Sequence, residues 1–209
     1  MIDAGIDLLS LANNHRLNCG ENGLAETEST LTGAGLGYIG PELQPIFRDI
    51  NGIKLAFLAL DATGDLDLKP ALKAVASARQ SGAVVIVSIH WGLEYQSGAS
   101  LQQKQMASQL ADAGVALIWG HHPHVLQPVE WLRDGKTLVL YSLGNALFDQ
   151  AGLANTRQSA LALVKIETGG VKKINVIPFL IDLTGSRIVE ADPNSAKIIM
   201  ERLHLTPSP

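Results

Sequence analysis

Residues 115–124 have the sequence VALIWGHHPH. The apolar residues at its start are enough for a buried β-strand, and three histidines follow within four positions. Each imidazole taken out of water needs a hydrogen-bond partner or a metal ion, so packing alone does not explain the cluster. His122 and His124 form an H-x-H pair around the rigid ring of Pro123, and Gly120 is the expected hinge between strand and loop. This stretch predicts a metal site at the end of a strand.

Composition limits the classes of protein that this chain can be. Its 209 residues are 46% hydrophobic and 17% charged, which predicts a globular domain with a sizeable core. A formal net charge of -4 offers no basic surface, so nucleic acid is not an expected partner. The single Cys19 excludes an intrachain disulfide. No run approaches the roughly 20 apolar residues of a membrane span, so the chain as given is expected to be soluble, with its compartment left open.

Strand-like and helix-like segments alternate along the chain and predict an α/β fold with a parallel sheet. We expect one domain over residues 1–190 and a tail over residues 191–209 with a short helix and a proline-rich end. Hairpins are expected at 45–60, 125–143 and 159–183. The predicted helices are 23–34, 69–82 and 101–113, and the other predicted strands are 6–11, 36–40, 83–89 and 115–119.

Polar residues follow several of the predicted strands, and five of the six histidines lie among them. In open α/β sheets, ligands bind outside the carboxyl ends of the strands. Taken singly, His15 could cap a loop, His90 could be a core histidine and Ser142 could close a turn. As a set, they are expected on one edge of the sheet. The candidates are Asn13, Asn14, His15, His90, Glu94, His121, His122, His124, Ser142 and Asn145.

Metal-assisted hydrolysis is the chemistry that such a set supports. Neutral imidazoles and an amide oxygen bind zinc, manganese or iron, and a bound cation lowers the pKa of its water to about 7. Two metals about 4 Å apart would hold both the attacking and the leaving oxygen of a phosphoryl transfer. A dinuclear site needs a bridging carboxylate, and none of the nearby acids is directly next to a histidine of the set. These acids are Asp61, Glu94, Asp112 and Asp149.

Four motifs in this order and spacing resemble the bacterial capsule-synthesis family known as CapA or PGA_cap. They are LANNH at 11–15, HWGLEY at 90–95, GHHPH at 120–124 and YSLGN at 141–145. The resemblance extends from residue 2 to about residue 149. That family is similar to the calcineurin-like metallophosphoesterases. It implies a layered β-sandwich flanked by helices, with metal ions at the strand ends.

The resemblance also implies roles for the candidate residues. His15 would be the proton donor or oxyanion partner, and Glu94 would be a second catalytic or supporting group. The remaining candidates would support the site or face the substrate: these are His121, Asn13, Ser142 and Asn145. The implied ligands of zinc, manganese or iron, in one or two ions, are Asn14, His90, His122 and His124.

The implied function is capsule or poly-γ-glutamate biosynthesis by a metal-dependent hydrolase-type site, acting on an anionic polymer, a γ-glutamyl amide or a phosphoester. Two alternatives stay open, namely a catalytically incompetent remnant that binds polymer or partners, and a protein with a single structural zinc.

The chain also departs from the family pattern. Family members begin with strands carrying Gly-Asp and Asn-Leu-Glu, often behind an N-terminal export or membrane segment, and this chain is expected to be N-terminally truncated. The exposed sheet edge that results favours pairing with another chain, which predicts a homo-oligomer. Asn18 stands where the family usually has an aspartate.

Overall fold

The computed structural model describes residues 2–150, 152–185 and 187–205. The helices are α1 (Gly20–Gly33), α2 (Lys69–Gln80), α3 (Leu101–Ala113) and α4 (Pro193–Arg202), with 3-10 turns at Ile2–Ala4 and Ala154–Arg157. The strands are β1 (Leu8–Ser10), β2 (Gly37–Ile39), β3 (Ile46–Ile50), β4 (Ile53–Ala62), β5 (Val84–Trp91), β6 (Leu117–His121), β7 (Leu126–Leu132), β8 (Thr137–Leu143), β9 (Gln158–Glu167), β10 (Gly170–Ile181) and β11 (Ile188–Glu190).

A six-stranded mixed sheet forms the centre, with the strand order β3-β4-β5-β6-β8-β7. Its four inner strands β4, β5, β6 and β8 run parallel, and the outer strands β3 and β7 run antiparallel to their neighbours. Parallel strands place their carboxyl ends at one edge. We call this edge, with the loops that leave it, the rim. The candidate polar residues of the sequence analysis were expected to lie at this edge of the sheet.

Layers cover the central sheet on both faces. Helices α2 and α3 pack on one face, where Val85, Val87 and Ile89 of β5 are buried. The antiparallel sheet β9-β10-β11 and helix α4 cover the other face, where Val84 and Ile86 are buried. This alternation within β5 follows from the two-residue period of a strand. The predicted layered sandwich flanked by helices is confirmed.

Helix α4 belongs to the second of these cores, although the sequence boundary at residue 190 places it in the tail. Its residues Ile199 and Leu203 are fully buried against the sheet. Asp192 caps the helix by accepting hydrogen bonds from the amides of Asn194 and Ser195. The proline-rich end expected at 206–209 lies outside the described residues.

A small parallel sheet of β1 and β2 lies beside β4 and brings the loop after β1 to the rim. It packs through a separate core of Ala12, Ile39 and Ala59. In the part of the chain that the structure describes, β2 is the partner paired with β1. No helix in these described ranges is long and apolar enough to cross a bilayer.

The expected hinge at Gly120 is wrong, because β6 continues through Gly120 and His121. Gly120 instead permits a close approach. The indole Nε1 of Trp91 donates to the carbonyl of Tyr141 at 3.0 Å, and the two rings stack with centroids 5.5 Å apart. A Cβ on Gly120 would collide with the Tyr141 carbonyl oxygen and the Trp91 indole.

We expect Gly120→Ala to lower the free energy of unfolding by about 1–3 kcal/mol, because the methyl group overpacks the Trp91–Tyr141 contact. Urea denaturation measures the change. Gly64→Ala is the matched control, since a Cβ there meets no atom within 4 Å and the residue has an ordinary φ. Equal stability of the two variants would contradict the packing role of Gly120.

Candidate metal centre

The rim collects side chains from segments that are distant in sequence. His90 and His121 lie at the carboxyl ends of the neighbouring strands β5 and β6 and are register partners. His122 and His124 follow β6 directly, and Asn14 comes from the loop after β1. The parallel pairing of β5 with β6 therefore brings two histidine motifs together.

Asn14, His90 and His122 converge on one point. The Nε2 atom of His90 lies 2.9 Å from Oδ1 of Asn14 and 3.1 Å from Nδ1 of His122. The rings of His90 and His122 are tilted by 53° with centroids 4.6 Å apart. The structure brings these three predicted ligands together across as many as 76 positions of sequence separation.

A second group shares His122 with the first. Potential ligand atoms of Glu94, His122 and His124 all lie within 4.8 Å of one another. Glu94 is exposed and both histidines are half-buried, so solvent reaches this side of the rim. Glu94, predicted as a catalytic or supporting group, therefore lies where it could also be a ligand.

His121 has both ring nitrogens engaged within the protein. Its Nδ1 is 2.5 Å from Nδ1 of His90, and its Nε2 is 2.9 Å from the hydroxyl of Ser88. This is the geometry of an orienting group behind a ligand. Ser88 was not expected from the sequence. The sequence feature that could have identified Ser88 is a polar residue within an apolar strand. It lies two positions before His90 and hence on the same face of the strand.

The backbone of the histidine loop is strained. His122 and His124 have φ values of 102° and 60°, in a region that residues with a Cβ rarely occupy. Tyr95 has a φ of 63°, and its amide donates to the carbonyl of Pro123 at 2.8 Å. Strain of this kind costs about 1–3 kcal/mol per residue and is concentrated at functional sites.

The side chain of Asn145 orients the His124 ring by a hydrogen bond. Its Oδ1 lies 2.8 Å from Nδ1 of His124, while its Nδ2 donates to the Thr156 carbonyl at 3.1 Å and to Gln150 at 3.3 Å. Asn145 therefore acts behind a predicted ligand. Ser142 is buried, and its hydroxyl accepts from the amide of Gly144 at 3.3 Å, which closes the turn after β8.

Asn13 and Asn18 shape the surroundings of His15. Oδ1 of Asn13 accepts from the His15 amide at 2.9 Å, so Asn13 holds the loop. The side-chain amide of Asn18 donates to Nδ1 of His15 at 3.0 Å. An imidazole that accepts at Nδ1 carries its proton on Nε2, which faces away from Asn18.

Burial and mutual repulsion favour the uncharged forms of His90, His121 and His122. Desolvation is the main cause that lowers the pKa of His90 to about 3, with His121, His122, His124 and His15 adding to it. Desolvation and His122 lower the pKa of His121 to about 4. Desolvation also lowers the pKa of His122, against the opposing charges of Glu94 and Asp61. Neutral imidazoles are the form that binds metals.

Asp61 is a rim carboxylate to which no ligand role was assigned from the sequence. It pairs in register with His90 at the end of β4, and its charge raises the pKa values of His121 and His122. Its Oδ1 accepts hydrogen bonds from the amide and the hydroxyl of Thr63.

The residues present fit a divalent transition metal. Imidazole nitrogens with amide and carboxylate oxygens are the donors that zinc, manganese and iron accept. Solvent access on the Glu94 side suits an open coordination position better than a closed structural one.

Comparisons with known proteins show the family of this chain. A family profile described as "Bacterial capsule synthesis protein PGA_cap" matches residues 1–150. Capsule biosynthesis protein CapA of Bacillus anthracis is 32% identical over 200 residues, covering 84% of this chain and 48% of that protein. PGA biosynthesis protein CapA of Bacillus subtilis (strain 168) is 31% identical over 222 residues, covering 96% of this chain and 58% of that protein. The chain thus spans about half the length of these curated relatives.

A solved structure titled as a novel phosphatase from Mycoplasma pneumoniae has a TM-score of 0.52 to this chain at 12% sequence identity. The match covers 92% of this chain and 96% of that one. At this identity the likeness shows a common fold.

We expect the free energy of unfolding to fall as the pH falls from about 6.5 towards about 4. Unfolded histidines take up protons below 6.5, whereas folded His90 and His121 stay neutral until about pH 3 and 4. The unfolded state then binds more protons, which costs stability on the order of 1 kcal/mol per histidine near pH 5. Urea denaturation at about pH 7 and about pH 5 measures it.

His121→Gln is the comparison for this pH effect, because glutamine still reaches Ser88 but does not titrate. Its unfolding free energy should depend less steeply on pH than that of the unchanged chain. Identical pH dependence of the two proteins would contradict the assigned cause.

Proposed function

This chain belongs to the bacterial capsule synthesis protein family PGA_cap, and from that premise we propose that it carries a metal-dependent hydrolase-type site serving capsule or poly-γ-glutamate biosynthesis. The observation that carries the proposal is the convergence of Asn14, His90 and His122, joined through His122 to Glu94 and His124. Five candidate donors at one rim, with strained backbone at two of them, support a built site.

The proposed ligands are Asn14, His90, His122 and His124, with Glu94 as the carboxylate. A divalent metal held there would supply a Lewis acid and a water of lowered pKa. For Nε2 of His90 to present a lone pair, Nδ1 of His90 must carry the proton. Nδ1 of His121 then accepts that proton's hydrogen bond, and Nε2 of His121 donates to Ser88. Ser88 and His121 thereby select the tautomer of His90.

His15 is the proposed proton donor to the leaving group. A histidine that donates a proton needs protons on both ring nitrogens, because a neutral imidazole that gave up its Nε2 proton would become an anion. In this structure the side-chain amide of Asn18 donates to Nδ1 of His15, so this amide must turn its oxygen to Nδ1 before His15 can transfer a proton from Nε2. A positive charge on His15 would lower the pKa values of His90 and His122, so His15 lies near these two proposed ligands. An aspartate at position 18 would accept rather than donate and would favour a proton on Nδ1.

The proposed substrates are a phosphoester or a γ-glutamyl amide within an anionic polymer. The two Bacillus relatives are named for capsule and PGA biosynthesis, and the shared fold with a phosphatase supports ester hydrolysis. The supporting and substrate-side residues are proposed to be Asn13, His121, Ser142 and Asn145.

We expect the purified chain to retain or take up zinc, manganese or iron, and His122→Ala and His124→Ala to weaken metal binding by more than about 100-fold. Loss of a group behind a ligand already costs 10–100-fold, so loss of a ligand costs more. Elemental analysis and metal titration measure binding. His204→Ala, at the exposed histidine beyond the rim, is the control and should bind as the unchanged chain does.

Absence of metal from the unchanged chain after incubation with each ion would refute the metal site. Tight polymer binding without metal would then favour a binding protein without catalysis. Metal retained with no exchangeable water would favour a structural zinc.

We expect His15→Ala to lower kcat by about 10²–10⁴-fold with metal content unchanged, because the leaving group loses its proton donor. An aryl phosphodiester and a γ-glutamyl anilide are suitable probes, with His204→Ala as the control. Undiminished turnover in His15→Ala would exclude the proton-donor role, and loss of metal would reassign His15 as a ligand.

A further inference from the structure

Two glutamine side chains are buried beneath the loop that carries Glu94. Gln127 of β7 is 0% exposed and Gln103 of α3 is 2% exposed. The side-chain amide of Gln103 donates to Oε1 of Gln127 at 2.8 Å. The amide of Gln127 donates in turn to the backbone carbonyls of Gln96 at 2.8 Å and Gly98 at 3.2 Å.

The two glutamines form a chain of hydrogen bonds in which the side-chain amide of each one donates to the next group. Oε1 of Gln103 accepts from the amide of Ser100, and the hydroxyl of Ser100 accepts from the amide of Gln103, which starts α3. Gln103 is thereby held in one orientation, with its own amide turned towards Gln127. Because Oε1 of Gln127 accepts that amide, the nitrogen of Gln127 points at the loop. Buried amides are costly unless every group is paired, and here the pairing serves the loop carbonyls.

The same loop is tied to the histidine loop. Its Tyr95 amide donates to the Pro123 carbonyl, between His122 and His124. Glu94 immediately precedes Tyr95. The two carbonyls that accept from Gln127 belong to Gln96 and Gly98, which follow Tyr95 within three residues. Gln127 itself lies three residues after His124. One short segment, residues 122–127, therefore carries two of the five proposed donors and also the anchor for the loop that brings Glu94.

We infer that Gln127 is a positioning residue that sets Glu94 at its distance from His122 and His124. This inference rests on the proposed metal site. The side chain of Gln127 is hydrogen-bonded to Gln103 and to the loop backbone, and it acts through that backbone. Without the Gln127 amide, the carbonyls of Gln96 and Gly98 lose the buried donor that ties this exposed loop to β7, and Glu94 is no longer held at its place.

The test compares Gln127→Leu and Gln127→Glu with Thr137→Val. Leucine removes the donor and the acceptor. Glutamate keeps the shape of the side chain and an oxygen that accepts from Gln103. It replaces the amide nitrogen that donates to the two carbonyls with a second oxygen, which cannot donate. Thr137 is also buried, and its hydroxyl donates to the Val115 carbonyl at 2.7 Å, at the opposite end of the sheet from the rim. Thr137→Val therefore removes a comparable buried hydrogen bond away from the site.

Two readouts are used, with the thermal midpoint recorded for each variant. Amide hydrogen exchange of Tyr95 is measured in the metal-free chain, and titration with Zn²⁺ and Mn²⁺ gives metal affinity. We expect both Gln127 variants to exchange the Tyr95 amide at least about tenfold faster and to bind metal about 10–100-fold more weakly. Thr137→Val should lower the thermal midpoint similarly with neither effect.

Tyr95 protection and metal affinity equal to those of Thr137→Val would overturn the inference. Failure of the unchanged chain to bind either ion would refute the metal site and not this inference, which the exchange of Tyr95 then decides alone. If Gln127→Leu does not fold, Gln127→Glu decides the outcome through the same two readouts.

Discussion

Parallel hydrogen bonding between β4, β5, β6 and β8 is the constraint on which the rest of the structure depends. It places four carboxyl ends on one edge and makes His90 and His121 register neighbours. Two layers then bury both faces of these strands, so the polar side chains remain at the edge. The rim is a direct consequence of strand direction.

Two local features of the rim are unfavourable for the stability of the folded chain. Several imidazoles are crowded there with lowered pKa values, and His122 and His124 adopt left-handed backbone conformations. Neither feature improves packing. The backbone strain destabilises the fold in the absence of a ligand, and the lowered pKa values destabilise it below about pH 6.5. The surrounding support is correspondingly dense: Ser88 holds His121, Asn145 holds His124, and Gln127 holds the loop of Glu94. A cation bound by these donors would offset the cost, which is the physical basis of the proposed function.

The elements with strong local signals were predictable from the sequence. Helix α3 has a capping box at Ser100 and Gln103 and ends at Gly114 with a φ of 88°, and its predicted bounds match the structure. Asn51 and Gly52 form the predicted hairpin turn between β3 and β4. By contrast, Gly120 was expected to be a hinge because glycine favours turns, whereas its role is to admit the Trp91–Tyr141 contact. Nothing near Gly120 in sequence reveals that contact.

The sequence by itself determined the layered α/β fold and the residue types at the strand ends, because periodicity, caps and turns are local. Tertiary structure alone decided which of those residues meet. It brought Asn14 to His90 and His122, and it placed Ser88 and Gln127 as supporting groups. These outcomes depend on strand register and on contacts between segments far apart along the chain. Local preferences carry no information about such distances, so only the folded chain could specify them.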